Sequence, residues 1–282
     1  MHLLDKINFV KMTGAGNDFI VIDNRTEDLS LDWSNLAPKI CHRRKGVGAD
    51  GLIVLERSSD VSFTMNYFNA DGSYGGMCGN GGRCAALYIM QEQKIREVSF
   101  HALDYIYSAN LINNELLRLR MKDPTDVRLS LSIGLGPEKI ALNYIDTGSP
   151  HVVVFLDELP QKLRQAIQTQ GINEIGRQIR YHPFFSPKGT NVNFVEKLDN
   201  NTISMRTYER GVEEETLACG TGSIACALIS ALKWKFPSPV QVKTKGGDIL
   251  QVIFNRAGES IHEIILEGPA KVVFYGQYTM SD

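Results

Sequence analysis

The sequence has no long hydrophobic run, since no stretch approaches the roughly 18 to 20 apolar residues that a membrane-spanning helix requires. It also has no excess of one charge. Its 30 Lys and Arg balance 32 Asp and Glu, and the basic residues are scattered apart from Arg43-Arg44-Lys45. This composition argues against nucleic-acid and membrane-surface partners. Met1 to Met12 mix charged with apolar side chains, unlike a secretory leader, so we expect a cytoplasmic protein.

Cysteine is scarce: the chain has five, an odd number, and none forms a Cys-x-x-Cys pair. This excludes a disulfide framework and the usual zinc-ligand spacing, so we expect free thiols, no metal site and a reducing compartment. With 282 residues, 43% hydrophobic and 22% charged, the chain is long enough for two average domains of roughly 150 residues.

What the sequence does contain is an internal repeat. Cys78-Gly79-Asn80-Gly81 recurs as Cys219-Gly220-Thr221-Gly222, 141 residues later. Three weaker matches follow in the same order at similar offsets: Gly48-Ala49-Asp50 with Gly189-Thr190-Asn191, Met65 to Asn69 with Met205 to Glu209, and Gly16 to Val21 with Gly148 to Val153. Their nearly constant offset predicts a duplicated domain.

Both halves show the same predicted elements. The predicted strands are Phe19 to Ile22, Leu52 to Leu55, Phe63 to Phe68, Val152 to Phe155, Val192 to Val195 and Ile203 to Tyr208. Each Cys-Gly-x-Gly motif then opens a predicted helix, Arg83 to Gln93 or Ile224 to Leu232. Because these helices are apolar almost all round, we expect each to be central and wrapped by sheet. Met121 to Asp126 form the expected crossing between the halves.

The cysteine of each motif lies where a Gly-rich turn becomes a helix. Unpaired backbone N–H groups and the positive end of the helix dipole there lower a thiol's pKa. The glycines let these N–H groups approach a bound carboxylate closely. If both helix starts serve one cleft, Cys78 and Cys219 can remove a proton from one face of a carbon and return one to the other. The pair therefore predicts inversion of a stereocentre, although either motif alone is also typical of a packed cysteine.

Structural interpretations stay open for the other candidates. A strand-end cap would explain His151, and a surface ion pair would explain Glu209 and Arg210. Turn formation would explain the asparagines beside glycines or strand ends, Asn17, Asn69, Asn80 and Asn191. Burial is the expected fate of the remaining cysteines, Cys41, Cys84 and Cys226.

These residues resemble the diaminopimelate epimerase family, cofactor-independent epimerases of bacterial lysine and cell-wall biosynthesis. The matching segments run through nearly the whole chain: Lys11 to Phe19, Gly46 to Asp50, Asn69 to Ser73, Met77 to Cys84, Pro150-His151, Asn191 to Phe194, Tyr208 to Gly211 and Glu215 to Gly222. The resemblance implies an α/β fold of the α+β type, with two pseudo-symmetric domains, each a curled mixed β-sheet or barrel around a central helix. It implies an N-terminal domain of residues 1–122 with a returning segment 266–282, and a C-terminal domain of residues 123–265.

The resemblance also implies roles for the site residues. Cys78 and Cys219 match the family's two catalytic bases, one a thiolate that abstracts the α-proton and the other a thiol that donates from the opposite face. His151 and Glu209 match catalytic residues that hold the reacting amino group. The matching substrate-binding side chains are Asn17, Asn69, Asn191, Glu209 and Arg210. The matching carboxylate cradle consists of Gly79, Asn80, Gly220 and Thr221. The resemblance implies no cofactor and no metal, diaminopimelate as the small-molecule substrate, and a homodimer.

Several positions depart from the common family pattern, and two of them concern substrate contacts. Ser149 stands where an Asn often precedes the Pro-His pair, and Gly51 stands where some members have Gln. Two rival functions also stay open. One is a proline or hydroxyproline racemase, although Arg210 favours a substrate with a distal carboxylate. The other is a thiol redox switch that joins Cys78 and Cys219 in a regulatory disulfide.

Overall fold

The computed structural model describes residues 6–280 and has many strands and few helices. The strands are β1 (Lys6–Gly14), β2 (Asn17–Asp23), β3 (Gly51–Glu56), β4 (Phe63–Asn69), β5 (Glu97–Ala102), β6 (Tyr105–Leu111), β7 (Leu116–Arg120), β8 (Thr125–Leu135), β9 (Glu138–Asp146), β10 (Pro150–Phe155), β11 (Asn191–Lys197), β12 (Thr202–Glu209), β13 (Glu214–Thr216), β14 (Val240–Lys243), β15 (Ile249–Ala257), β16 (Ser260–Pro269) and β17 (Lys271–Thr279). The α-helices are α1 (Trp33–Ile40), α2 (Gly79–Gln93), α3 (Gln161–Gln170), α4 (Asn173–Arg180) and α5 (Gly220–Trp234), and short 3₁₀ turns lie at Leu156–Glu158 and Pro183–Phe185.

The chain divides into two compact units. Unit 1 consists of Met1–Arg120 and Glu267–Asp282, and unit 2 consists of Met121–Leu266. Strand β7 ends at Arg120 and β8 begins at Thr125, so the first passage between the units is a short irregular segment. The second passage lies within β16, whose residues 267–269 belong to unit 1.

The two units pair their strands in the same pattern. In unit 1, β2 runs parallel to β3, β3 antiparallel to β4, β4 parallel to β5, and β5 antiparallel to β6. In unit 2, β10 runs parallel to β11, β11 antiparallel to β12, β12 parallel to β14, and β14 antiparallel to β15. Two antiparallel strands extend each series. In unit 1, β1 pairs with β2 and β17 pairs with β1. In unit 2, β9 pairs with β10 and β8 pairs with β9. This repetition confirms the predicted duplication and the mixed α/β fold class.

Each unit wraps its sheet around one helix. Helix α2 contacts β1 to β7 and β17, and α5 contacts β9 to β12, β14 and β15. Both helices are buried along most of their 15 residues, as their apolar sequences predict. Both begin at the first glycine of the motif, Gly79 or Gly220, four residues before the predicted starts at Arg83 and Ile224.

Shorter helices cover the outer faces of the parallel strands. Because these strands are buried on both faces, their sequences are nearly continuous apolar runs. In unit 1, α1 contributes Leu36, Ala37 and Ile40 to a cluster with Ile20, Ile22, Leu52 and Val54. In unit 2, α3 and α4 contribute Ile167, Ile175 and Ile179 to a cluster with Val152, Val154, Val192 and Phe194. Burial of each large side chain stabilises the fold by about 1.5–3 kcal/mol. The packed helices thereby hold in place the strands whose ends carry the site residues.

Candidate active site

Cys78 and Cys219 are the N-cap residues of the two central helices. The Sγ atom of Cys78 accepts a hydrogen bond from Gly81 N at 3.5 Å, and that of Cys219 accepts one from Gly222 N at 3.3 Å. Both cysteines have extended backbone conformation before the first helical turn. A donor aimed at sulfur favours the thiolate over the thiol. The predicted chemistry of the helix starts therefore has a structural basis in each unit.

The other three cysteines lie outside the two Cys-Gly-x-Gly motifs. Cys41, Cys84 and Cys226 are buried free thiols. Burial raises the pKa of Cys41 and of Cys84 to about 12, and it also raises the pKa of Cys226. These thiols stay protonated near neutral pH, in agreement with the structural role expected for them.

His151 is fully buried and is bonded through both ring nitrogens. Its Nε2 lies 2.9 Å from Thr221 Oγ1, and its Nδ1 lies 3.1 Å from Asn193 Nδ2. Thr221 Oγ1 in turn lies 3.6 Å from the sulfur of Cys219. Burial, assisted by the positive charge of Arg210, lowers the pKa of His151 to about 3. The imidazole is therefore neutral, and a chain of polar contacts joins it to the cysteine.

Asn193 was not among the predicted site residues. It lies two positions after Asn191 on β11, so strand alternation places both side chains on the same face of the sheet. That alternation is the signal in the sequence that would have identified it. Its amide lies between His151 and the start of α5.

Asn191 holds the backbone around the predicted substrate site. Its Nδ2 donates to Ser149 Oγ at 2.9 Å and to Pro150 O at 3.0 Å, while its Oδ1 accepts from Arg210 N at 2.8 Å. In this structure it positions Arg210 and the strand that carries His151. Ser149, one of the departures from the family pattern, is therefore directly bonded to a predicted substrate-binding residue.

Glu209 and Arg210 follow one another at the end of β12. Glu209 Oε2 accepts a hydrogen bond from Thr216 Oγ1 at 2.9 Å. Arg210 lines an open cavity of about 620 Å³. The same cavity is lined by charged side chains of both signs and by aromatic rings, Asp126, Arg128, Asp146, Lys188, Tyr144 and Phe184 among them. Its lining includes neither Cys219, His151 nor Glu209.

In unit 1, the predicted residues Asn17 and Asn80 belong to one hydrogen-bonded chain. Arg83 donates to Asn80 Oδ1 at 2.7 Å, Asn80 Nδ2 donates to Asn17 Oδ1 at 2.7 Å, and Asn17 Nδ2 donates to Asp50 Oδ2 at 2.9 Å. Asn80 and Arg83 are completely buried. The side chain of Asn80 therefore orients Asn17, and its two hydrogen bonds leave it engaged within the protein.

A cluster of charged side chains adjoins this series of hydrogen bonds at Asp50. Asp18 accepts hydrogen bonds from Lys11 at 2.7 Å and from Arg43 at 2.8 Å, while Asp50 also pairs with Arg43. Burial opposes ionisation of Asp18, but the hydrogen bonds and charges of Arg43 and Lys11 outweigh it and lower the pKa of Asp18 to about 2. The cluster fixes the turn that carries Asp50 and thus the orientation of Asn17.

Tyr67 fills the place beside Gly51, another departure from the family pattern. A Cβ on Gly51 would lie 2.9 Å from the Tyr67 hydroxyl, and one on Gly75 would lie 2.5 Å from Tyr67 Cδ1. The ring thus packs closely against two glycines, and any side chain at position 51 would displace it. Asn69 lies two positions along β4, on the same face as Tyr67, and donates to Ser73 Oγ at 2.9 Å.

Between residues 6 and 280, no three His, Cys, Asp or Glu side chains are grouped so that they could hold a metal ion. None of the helices in that range has the length and apolar character to cross a membrane.

Solved structures share this fold at low sequence identity. A hydroxyproline epimerase from Agrobacterium vitis, solved with bound trans-4-hydroxy-L-proline, matches with a TM-score of 0.73 and 14% identity, over 100% of this chain and 95% of that one. A PhzF-family phenazine biosynthesis protein from Bacillus anthracis matches with a TM-score of 0.70 and 17% identity, over 98% and 100% of the two chains. The fold is therefore of the class shared by proline racemase-like epimerases and PhzF proteins.

Sequence comparison narrows this class. The family model for diaminopimelate epimerase matches residues 9–111 and 143–273. A diaminopimelate epimerase from Chlorobaculum tepidum is 45% identical over 273 residues, which cover 95% of this chain and 100% of that protein. One from Aquifex aeolicus is 38% identical over 283 residues, covering 96% and 97%. The chain belongs to the diaminopimelate epimerase family.

Proposed function

We propose that this protein epimerises LL-diaminopimelate to meso-diaminopimelate, without a cofactor, by using Cys78 and Cys219 as a thiolate and thiol pair. The observation that carries the proposal is that both cysteines cap the central helices of repeated units in a chain of this family. One sulfur removes the α-proton, and the other donates a proton to the opposite face of the same carbon. The roles exchange when the reaction runs backwards.

The helix starts supply the electrostatic stabilisation that the reaction needs. An α-helix leaves its first N–H groups without acceptors inside the helix. In α5, Gly220 and Thr221 precede the N–H that Gly222 donates to sulfur. The N–H groups of these two residues are suited to the carboxylate as it becomes an enediolate. Moving a thiol pKa from about 8.5 to about 7 requires roughly 2 kcal/mol, whereas a helix terminus supplies about 0.3–1 and at best near 2. Further donors to sulfur are therefore needed.

The remaining predicted residues hold the substrate. Arg210 suits the distal carboxylate because its planar guanidinium can donate two parallel hydrogen bonds. Glu209 suits the amino group of the reacting centre because a carboxylate attracts an ammonium. Direct contacts of Asn17, Asn69 and Asn191 with substrate stay predictions.

An assay of the reduced protein with LL-diaminopimelate and with free proline tests the function. We expect meso-diaminopimelate to form and proline to remain unchanged. Cys78→Ala and Cys219→Ala should each lose turnover, because epimerisation needs a proton donor and a proton acceptor. Ser223→Ala is the matched control, because Ser223 is buried in the same helical turn and its hydroxyl donates to Cys219 O at 2.8 Å. Full turnover in either cysteine variant would contradict the mechanism.

The same assay separates the rival functions. Racemisation of proline without reaction of diaminopimelate would establish the racemase. Absence of turnover with reductant present, together with a disulfide between Cys78 and Cys219 under oxidation, would establish the redox switch. We also propose that the protein acts in the cytoplasm, because the mechanism requires reduced thiols.

A further inference from the structure

The two cysteine-capped helix starts pack against different side chains. In unit 1, a Cβ on Gly81 would lie 3.0 Å from Ile53 Cδ1 and 3.5 Å from Phe19 Cε1, so the helix start faces apolar groups. In unit 2, a Cβ on Gly222 would lie 2.7 Å from Asn193 Oδ1. The repeat thus carries a buried amide in one unit where the other carries hydrocarbon.

Strand register shows that these residues are counterparts. In unit 1, Phe19 on β2 pairs with Gly51 on the parallel strand β3, and Ile53 lies two residues after Gly51 on β3. In unit 2, His151 on β10 pairs with Asn191 on the parallel strand β11, and Asn193 lies two residues after Asn191 on β11. Two apolar residues in unit 1 therefore correspond to two hydrogen-bonded residues in unit 2. Helix packing alone does not require this polarity, since the apolar pair supports an equivalent helix.

The hydrogen bonds of Asn193 determine the orientation of its amide. Its Nδ2 donates to Val152 O at 2.8 Å and approaches His151 Nδ1 at 3.1 Å, while its Oδ1 accepts from Thr207 Oγ1 at 2.9 Å. The reversed amide would place an oxygen against the carbonyl oxygen of Val152. Nδ1 of His151 is therefore an acceptor, and the proton of the neutral imidazole is on Nε2.

This proton determines the direction of the next two hydrogen bonds. Because Nε2–H of His151 donates to Thr221 Oγ1 at 2.9 Å, the hydroxyl proton of Thr221 is left for another acceptor. The sulfur of Cys219 lies 3.6 Å from that hydroxyl. A hydrogen bond donated to sulfur stabilises the thiolate more than the thiol.

We propose that Asn193 is a positioning residue that fixes the Nε2–H tautomer of His151 and thereby directs the hydroxyl proton of Thr221 to the sulfur of Cys219. The inference deepens the proposed function and rests on it for the use of Cys219 as a base. The proton arrangement itself belongs to unit 2 before any substrate binds. It provides a further donor to sulfur, beyond the helix terminus.

Other charges around this helix start remain constant in the variants that test the proposal. Burial and the charge of Arg210 keep His151 neutral, with its pKa lowered to about 3. The charged groups at or beside the ends of the strands in this part of unit 2 include Asp146, the last residue of β9, and Glu209, the last residue of β12. They also include Arg210, which follows β12, Glu215 on β13, and Lys245 after β14. Because none of them is substituted, a changed pKa of Cys219 reports the altered hydrogen bonds.

The pKa of Cys219 can be measured without substrate from the ultraviolet absorbance of the thiolate. Cys78→Ser removes the other site thiol, and the buried Cys41, Cys84 and Cys226 stay protonated because burial raises their pKa values. Thr221→Val should raise the pKa of Cys219 by about one pH unit, a tenfold loss of thiolate worth about 1.4 kcal/mol. Asn193→Ala should also raise the pKa of Cys219.

Two matched controls separate this effect from a packing defect. Thr221→Ser keeps the hydroxyl and should restore the wild-type pKa of Cys219. Ser223→Ala removes a hydroxyl that donates to the carbonyl oxygen of Cys219 and should leave the pKa of its sulfur unchanged. An unchanged pKa in folded Thr221→Val, or an equal rise in Ser223→Ala, would overturn the proposal.

Nitrogen NMR of labelled histidine tests the tautomer directly in the full chain. In wild-type protein, we expect His151 to remain neutral with its proton on Nε2 from about pH 5 to 8. In Asn193→Ala, this tautomer should lose its dominance. A proton on Nδ1 in the wild type would refute the proposal even if Asn193→Ala failed to fold. Since both measurements omit substrate, their failure is distinguishable from a failure to epimerise diaminopimelate.

Discussion

At the residue scale, the fold prevents His151 from accepting a proton. Its ring is completely buried and both nitrogens are bonded, and its pKa lies near 3 compared with about 6.5 for an unfolded chain. The unfolded protein therefore binds a proton first as the pH falls. Stability linked to this residue is present above pH 6.5 and is lost progressively between pH 6.5 and about 3.

This linkage predicts a slope in stability. In that range, the wild-type protein should lose up to about 1.4 kcal/mol of unfolding free energy per pH unit because of His151. His151→Gln keeps polar atoms but has no group to titrate, so its pH dependence should be flatter. Chemical denaturation from about pH 7.5 to 4 measures both proteins. Identical slopes would show that His151 takes up its proton in the folded state.

Tyr67 provides a second prediction at this scale. Gly51→Ala should destabilise the protein by about 1–3 kcal/mol, since its methyl group would collide with the Tyr67 ring and with Phe68 O, 2.7 Å away. Gly134→Ala is the matched control, because a Cβ there meets nothing within 4 Å. Equal stability of Gly51→Ala and wild type in thermal denaturation would contradict the packing described.

Individual site residues could be predicted from the sequence only where they belong to a recognisable motif. The cysteines and His151 stand in motif positions, and the structure places His151 and Cys219 in one polar network. No motif singles out Asn193, which lies inside the predicted strand Val192 to Val195, although strand alternation puts it on the same face as Asn191. The apolar pattern of the helix gives no sign of a role for Arg83, whose guanidinium donates hydrogen bonds within the helix to Gly79 O and Asn80 Oδ1.

At the element scale, α2 and α5 have matching ends. Each begins after a cysteine cap and ends at a lysine in the left-handed conformation, Lys94 with φ 56° and Lys235 with φ 58°. A left-handed residue with a Cβ is strained by roughly 1–2 kcal/mol, which glycine avoids. The C-terminal ends of the two helices are therefore as similar to each other as their N-terminal starts.

These ends predict a stabilising substitution. Lys235→Gly should raise the free energy of unfolding by about 1 kcal/mol, because it removes the Cβ strain at an exposed position. Lys235→Ala keeps the Cβ and should give no gain, which makes it the control. Chemical denaturation compares the two variants. A gain in both, or in neither, would show that the left-handed conformation is not the source of strain.

Element prediction succeeded for the repeated strands and central helices and was less complete elsewhere. The helix starts were placed four residues late because glycine has low helix propensity, whereas the cysteine cap and close packing favour helix from Gly79 and Gly220. Helices α1, α3 and α4 were not predicted, since each has only 8 to 10 residues and many are polar. Their boundaries depend on packing against the sheet, which a local pattern does not contain.

At the scale of the whole molecule, duplication explains why one short motif occurs twice and why the two copies differ. Each unit repeats the same order of parallel and antiparallel strands around a helix. Unit 2 carries hydrogen-bonded His151 and Asn193 where unit 1 carries Phe19 and Ile53. The homodimer stays a prediction, and analytical ultracentrifugation of the reduced protein would test it.

The central claim is that two thiol groups exchange protons on opposite faces of one carbon. The most direct test is incubation of the reduced protein with LL-diaminopimelate in D₂O, with deuterium followed at the α-carbon of product and of recovered substrate. At early times we expect meso product that carries solvent deuterium, while recovered LL substrate remains largely unlabelled. Rapid labelling of recovered LL substrate at the same rate as product formation would contradict the account, because a single base would then serve both faces.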